Sequence, residues 1–348
     1  MRTIMLCSVL TAVGVFSAVS VASQTWHLDP QEGWRDVESL PDGPYLLALS
    51  RIKQHLSSGD ADAVLNALES VKADFPDLAG GDLDDFIAAE KIYAKGNLGK
   101  AARQYKDFLD KWPDSTLQPA VVERYFSVGA AFLQGQKRRF IGFLRLPAFD
   151  EGVAIMRDIA DRSGNAPIAL RALQVTAENQ ERRKQFIPAY HTWAEISSRW
   201  PTGAEGRDAL LRMARALHAS YDGPDYDVSV LHSAAVYFED YIMRYPQIAE
   251  ELNLAQMLTT ITEQVAYKHY EVGFYYERVG ETATAHDYYN DVMTQWPGTA
   301  AARMAVDRLD PTAPPAVTPG PRRTLFNATT GFLDSWFGLA LIFGGEDS

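Results

Sequence analysis

The side chains best suited to acid–base or metal chemistry are scattered along this chain of 348 residues. No two histidines have the i,i+4 spacing that would place a pair of metal ligands on one face of a helix. The sequence also lacks Gly-x-Ser-x-Gly, His-Glu-x-x-His and a phosphate-binding loop. The histidines are His27, His55, His191, His218, His232, His269 and His286. We therefore predict a non-enzymatic protein with no catalytic residues, no metal site and no cofactor.

Two aspartate clusters resemble cation sites, but structural roles explain them better. The cluster at 82–85 opens a predicted helix, where the helix dipole favours negative charge. The cluster at 222–227 surrounds Gly223 and lacks the glutamate that closes a calcium-binding loop, which favours a turn. His269 falls at a packing position of a repeat described below, which favours a role in the core or in a groove over metal binding.

The composition indicates a folded, acidic protein. Hydrophobic residues make up 47% of the chain and charged residues 22%, which excludes wholesale disorder. The formal net charge of −12 predicts no nucleic-acid partner, because binding phosphates needs clustered lysine and arginine. Cys7 is the only cysteine, which excludes a disulfide scaffold and a multi-cysteine metal site.

Residues 1–22 have the pattern of a secretory signal peptide. Arg2 is the only charge before an apolar run, and Ser20 and Ala22 provide the small residues of a cleavage site. A transmembrane anchor is the alternative for an apolar run of about 18 residues. Cys7 precedes most of the run and so does not fit a lipid-modified cysteine. We expect an exported, periplasmic protein, with association with the outer membrane left open.

The elements that position these side chains are helices ended by a recurring dipeptide. An aromatic residue directly precedes proline five times, each time after apolar residues three or four apart. Proline cannot continue a helix and biases the preceding residue away from helical conformation, so each dipeptide marks a helix end. The dipeptides are Phe75-Pro76, Trp112-Pro113, Trp200-Pro201, Tyr245-Pro246 and Trp296-Pro297.

Residues upstream of four of these prolines repeat in register. Alanine stands twelve residues before the proline, and an aromatic residue stands eight before it. The small residue lets two helices approach, the aromatic ring fills the space between them, and a glycine forms the turn. This is the pattern of a tetratricopeptide repeat, a helix–turn–helix of about 34 residues. The repeat positions are Gly96, Ala101, Tyr105, Pro113, Ala189, Trp193, Pro201, Ala234, Phe238, Pro246, Gly280, Ala285, Tyr289 and Pro297.

These signals predict an all-α fold, a tetratricopeptide-repeat superhelix of about five to six helix pairs over residues 44–310. An N-terminal arm (23–43) precedes the array, and a proline-rich linker (311–324) and an apolar tail (325–348) follow it. No alternating strand pattern is visible. Helices are expected near 44–58, 61–74, 83–95, 98–111, 116–134, 148–162, 166–183, 186–199, 204–220, 229–244, 248–279, 282–295 and 299–309.

Three segments resemble the BamD family, the tetratricopeptide-repeat component of the machinery that assembles outer-membrane β-barrels. They are 93–115, which begins Tyr-Ala-Lys-Gly-Asn-Leu-Gly-Lys, the segment 221–246 with its loop, and 264–280 within the predicted long helix. The resemblance covers about residues 82–309. It implies a scaffold or adaptor whose N-terminal repeats are associated with unfolded barrel substrates and whose C-terminal repeats dock on the barrel component.

Two features depart from that family. The family is anchored by a lipid on a cysteine at the cleavage site, whereas Ser23 follows Ala22 here. An insert at 135–147 and the C-terminal tail also exceed the usual pattern.

The alternative function is a general peptide-binding or cell-wall-associated module of the envelope. The two functions differ in the expected interface, which is Tyr270 and Phe274 of the long helix in the first and the concave groove in the second. The run Tyr267, Tyr270 and Phe274 recurs at helical spacing, which favours inter-helix core over a ligand cage.

The insert and the tail are further candidate contact regions. The insert combines basic and large apolar side chains, which suit an anionic surface or an acidic partner; packing under the repeat is the alternative. The tail has one charge between Gly331 and Phe343 and is too short to cross a bilayer as a helix, so it binds a membrane surface, a partner or its own groove. The candidates are Lys137, Arg138, Arg139, Phe140 and Phe143 in the insert, and Phe332, Trp336, Phe337 and Phe343 in the tail.

Overall fold

The computed structural model describes residues 26–29, 33–37, 43–58, 60–77, 79–141 and 144–310. Fourteen α-helices and four short strands lie within these ranges. The predicted signal peptide, linker and tail lie outside the described residues.

The helices follow the expected order closely. They are α1 (Gly43–Ser58), α2 (Ala61–Asp74), α3 (Gly81–Ala94), α4 (Leu98–Lys111), α5 (Gln118–Leu133), α6 (Phe149–Arg162), α7 (Pro167–Arg182), α8 (Phe186–Arg199), α9 (Gly203–Ala219), α10 (Ser229–Arg244), α11 (Pro246–Glu251), α12 (Leu254–Arg278), α13 (Thr282–Gln295) and α14 (Ala300–Leu309).

Each helix packs against its neighbours in the chain. The pairs are α1/α2, α3/α4, α5/α6, α7/α8, α9/α10 and α12/α13, and α14 lies against both helices of the last pair. The central helix α5 also contacts α1 and α7, the first helices of two other pairs. The predicted all-α repeat superhelix is confirmed, because successive pairs stack along one continuous array.

The repeat positions form the interior of this array. The four repeat alanines are fully buried, and the aromatic residue one turn further along each second helix fills the space beside them. Tyr105, for example, has its ring centroid 6.3 Å from that of Phe86 on the facing helix. The third pair departs from the pattern with Gly152. A Cβ there would lie 2.9 Å from Leu133 Cγ and 3.0 Å from the Gly129 carbonyl oxygen, so α5 and α6 approach too closely for alanine.

Two short hairpins, which the sequence pattern did not reveal, accompany the helices. Strand β1 (Trp26–Asp29) pairs antiparallel with β2 (Gly33–Asp36), and β3 (Lys137–Ile141) pairs antiparallel with β4 (Leu144–Pro147). The second hairpin is the predicted insert, and its register shifts between Arg139 and Ile141. Each strand is only four or five residues long, too short for periodicity to distinguish it from a loop.

The predicted single helix over 248–279 was wrong, because the chain breaks at Asn253. Its φ of 52° and ψ of 41° are left-handed, so α11 ends at Glu251 and α12 begins at Leu254. Asparagine adopts this conformation more readily than other residues with a Cβ, and its side chain also donates a hydrogen bond to Gln256. The apolar periodicity continues across Asn253, so the sequence pattern gives no sign that the helix breaks there.

Replacing Asn253 with valine is expected to lower the free energy of unfolding by about 1–2 kcal/mol, because a β-branched residue is strained in the left-handed region. Glycine at the same position should change it by about 0.5 kcal/mol or less. Urea unfolding measures both. The matched control is Asn290→Val on the exposed face of α13, where asparagine and valine have similar helix propensity. Equal effects at the two positions would contradict the strain.

A buried ion pair joins the second repeat to the third. Glu90 on α3 accepts a hydrogen bond from Tyr105 Oη on α4 at 2.5 Å and from Arg124 Nε on α5 at 3.0 Å. The side chains of Glu90 and Arg124 are 0% and 1% exposed. The guanidinium also lies over the ring of Tyr93, 4.6 Å from its centroid. Three helices are therefore held together by one carboxylate.

This arrangement recurs along the array, and we call each instance an inter-repeat clamp. A glutamate of the first helix accepts hydrogen bonds from an aromatic donor on the second helix and from an arginine on the following first helix. In every clamp the arginine stands 19 residues after the aromatic residue. The clamps are Glu90–Tyr105–Arg124, Glu181–Trp193–Arg212 and Glu277–Tyr289–Arg308. Phe238 has no donor, and Met257 stands 19 residues after it.

Candidate functional site

A groove of about 1170 Å³ runs along α5, the helix that contacts both α1 and α7. Small side chains keep it open: Ser127, Ala130 and Ala131 face it from α5 and remain partly exposed. Leu56 contributes from α1 and Ile168 from the start of α7. The groove is therefore lined largely by apolar and uncharged atoms, which suits a protein segment more than a charged ligand.

Every charged side chain that lines the groove has an ion-pair partner within the protein. Glu123 and Arg171 pair with each other at 3.0 Å, and the Arg171 guanidinium lies 4.5 Å from the centroid of the Phe126 ring. Arg162 pairs with Asp158 at 2.8 Å and also with Asp110. Arg124 is held by Glu90. An occupant of the groove consequently meets no uncompensated charge.

The first inter-repeat clamp lies directly beneath this groove. Burial raises the pKa of Glu90, although the nearby Arg124 charge acts in the opposite direction. The Nη2 atom of Arg124 is buried and has no hydrogen-bond partner among the described residues. The clamp ties α5 to α3 and α4 beneath the groove.

The aspartates at 82–85 pair with neighbouring helices. Asp82 accepts hydrogen bonds from the Leu83 backbone at 2.9 Å and from Ser115 Oγ at 2.6 Å. Asp85 accepts from Lys111 and Trp112, both at 2.8 Å, and these two bonds lower its pKa. In the second cluster, Asp227 accepts from the Ser229 backbone at 3.1 Å, which is local turn structure.

Two of the histidines are packed against neighbouring helices. His269 on α12 is partly buried, with its ring centroid 4.7 Å from that of Trp296. His218 on α9 is buried, and its Nε2 lies 2.9 Å from Gln264 Oε1 on α12. Among the described residues, no three histidine, cysteine, aspartate or glutamate side chains come together as a metal site would require.

The stability of the protein is expected to fall between about pH 7 and pH 5 in part because of His218. Burial lowers its pKa, and the hydrogen bond to Gln264 offsets this only in part. The unfolded chain takes up a proton below about pH 6.5 while the folded chain resists it, so stability is complete above that pH and is lost as the pH falls towards the folded pKa. Urea unfolding at both pH values should show a smaller loss for His218→Gln than for the unaltered protein. Equal losses would contradict this role.

The contact residues predicted at the C-terminal repeats are not a free surface. Tyr270 is 6% exposed and stacks on Phe274 with ring centroids 6.2 Å apart, and its ring also lies 5.5 Å from that of Tyr289. Phe274 is partly buried, with the guanidinium of Arg308 5.6 Å from its centroid. The prediction of Tyr270 as a partner contact is therefore corrected, because this ring belongs to the core between α12 and α13.

The other predicted contacts are only partly described. Lys137, Arg138, Arg139 and Phe140 lie on strand β3, beside α4, whereas Phe143 lies outside the described residues. The tail candidates Phe332, Trp336, Phe337 and Phe343 also lie outside them. The sequence predicted a concave groove but not its location along α5. The signal that could have located it is the set of small residues on α5, which are Ser127, Gly129, Ala130 and Ala131.

No protein-family model and no curated protein matches this chain. Among solved structures, it is similar to the C-terminal part of a TPR repeat-containing protein from Cytophaga hutchinsonii. The identity is 15%, the match covers 76% of this chain and 87% of the other, and the TM-score is 0.36. The assignment as a tetratricopeptide-like helical repeat protein rests on the helix pairing and the repeat positions described above.

None of the helices among the described residues combines the length and the apolar character that a membrane span requires.

Proposed function

We propose that this protein is a scaffold that holds an uncharged, largely apolar segment of another protein along α5. One observation carries the proposal: the groove of about 1170 Å³ is open, and all four of its charged lining residues are already paired. A charged occupant would lose hydration without gaining a partner charge, whereas an apolar occupant would gain by burial.

The function proposed for this scaffold is assembly of outer-membrane proteins in the periplasm. The resemblance to the BamD family and the signal-peptide pattern of residues 1–22 support this setting. Pull-down of the full-length protein from detergent-solubilised envelopes should recover a barrel assembly component or an unfolded outer-membrane protein. Recovery of cell-wall-associated proteins alone would instead support the general envelope binding module.

A direct binding test uses a labelled peptide of alternating phenylalanine and serine, and a second peptide with half of the serines replaced by lysine and glutamate. Fluorescence anisotropy with the full chain should show tighter binding of the uncharged peptide. Ala130→Arg places a long charged side chain in the groove and should weaken that binding by about tenfold or more, equivalent to about 1.4 kcal/mol.

The matched control is Ala283→Arg, which makes the same change at an exposed site on α13. It should leave the dissociation constant unchanged. Equal affinity of the two peptides, or equal weakening by the two substitutions, would contradict a groove that selects uncharged segments.

A further inference from the structure

The groove along α5 also has a candidate occupant within the chain. We propose that the C-terminal segment 325–343 docks in it and competes with the protein segment bound in trans, an inference that rests on the proposed function of the groove. Two observations support this docking. The groove and the segment both lack uncompensated charge, apart from one aspartate in the segment, and residues 311–324 are long enough to span the distance from α14 to the groove.

The charge match follows from the ion pairs already described. Glu123, Arg124, Arg162 and Arg171 are neutralised within the protein, so the groove offers no free charge to an occupant. Between Gly331 and Phe343 the only charged residue is Asp334. Docking therefore buries apolar side chains and requires the desolvation of one carboxylate at most.

Whether the segment can reach the groove depends on the distance between the end of α14 and α5. Helix α14 ends at Leu309 and contacts α12, and His218 of α9 lies 2.9 Å from Gln264 of α12. Arg212 of α9 pairs with Glu181 of α7, and α7 contacts α5, so four steps lead from α14 to α5. Neighbouring helices lie about 8–10 Å apart, so the path is about 30–40 Å. Residues 311–324 include five prolines and, at about 3.1 Å per residue in extended form, span about 43 Å. The linker can therefore place segment 325–343 at the groove.

Disulfide formation in the full chain tests the contact. In a Cys7→Ser background, Ala131→Cys in the groove is combined with Ala340→Cys in the tail, and the control pairs Ala283→Cys on α13 with Ala340→Cys. Mild oxidation should give an intramolecular disulfide in the first protein at a yield about tenfold above the control, because docking raises the effective concentration of the tail thiol. Adding Leu341→Glu and Ile342→Glu should remove that difference.

Equal intramolecular yields in the two proteins would overturn the proposal. Disulfide-linked dimers in place of the intramolecular product would also overturn it, because they would place the tail of a second copy in the groove.

Peptide binding separates failure of this inference from failure of the proposed function. The full chain with Leu341→Glu and Ile342→Glu should bind the phenylalanine–serine peptide more tightly than the unaltered chain, because its groove is vacated. Unchanged and measurable affinity would overturn tail docking and leave the groove function standing. Absence of peptide binding in both proteins would refute the groove function, and the disulfide yield would then decide tail docking alone.

Discussion

Replacing Arg124 with methionine is expected to lower the free energy of unfolding by about 3–5 kcal/mol. The substitution leaves the Glu90 carboxylate, which is 0% exposed, without its cation. Tyr105 Oη continues to donate one hydrogen bond, but it supplies no charge. Urea unfolding followed by circular dichroism measures the change.

The control for this prediction is Arg171→Met. Arg171 of α7 pairs with Glu123 of α5, but both side chains are about half exposed. Loss of this ion pair should therefore lower the free energy of unfolding by about 1 kcal/mol or less. The triple variant Glu90→Leu, Tyr105→Phe and Arg124→Met removes the whole buried polar cluster and should recover most of the lost stability. If Arg124→Met were no more destabilising than Arg171→Met, the buried ion pair would stabilise the fold no more than the exposed one does.

Replacing Trp193 with alanine is expected to lower the free energy of unfolding by about 3–5 kcal/mol, because it leaves a cavity between α7 and α8. The ring is 1% exposed, and its Nε1 donates to Glu181 Oε1 at 2.7 Å. Trp193→Phe keeps most of the apolar volume and removes only this donor. It should therefore cost about 1–3 kcal/mol, the penalty of an unsatisfied buried acceptor.

The control is Trp112→Phe, which also removes an indole donor to a carboxylate. Its acceptor, Asp85, is 42% exposed and can bind water instead, so the loss should be about 1 kcal/mol or less. Thermal or urea unfolding of the three variants compares them directly. Similar losses for Trp193→Phe and Trp112→Phe would show that burial of the second clamp does not matter.

The repeat positions could be predicted from the sequence because they depend on local spacing. Aromatic–proline dipeptides end helices by backbone geometry alone, and the alanines upstream of them mark where two helices must approach. The break at Asn253 was not predictable in the same way, because one left-handed residue leaves the apolar periodicity intact. The two hairpins were missed because strands of four or five residues carry too little pattern.

The clamps and the groove depend on contacts between repeats. The recurring distance of 19 residues between an aromatic donor and an arginine was present in the sequence, but its meaning requires knowing that the two face one glutamate. The groove depends on α1 lying near α5 and on Arg171 folding over Phe126. Tyr270 lies in the inter-helix core that its helical spacing favoured, and only its use as a partner contact needed the packing of α13 to correct it.

Photo-crosslinking shows directly whether the bound segment lies in the groove along α5. The phenylalanine–serine peptide is synthesised with a photoreactive phenylalanine analogue, bound to the full chain and irradiated, and mass spectrometry maps the adducts. We predict adducts on residues 119–133 of α5 and on the start of α7, with loss of these adducts in Ala130→Arg and retention in Ala283→Arg. Adducts confined to the second helices, such as the exposed Val236 and Met243 of α10, would place the segment elsewhere and contradict binding along α5.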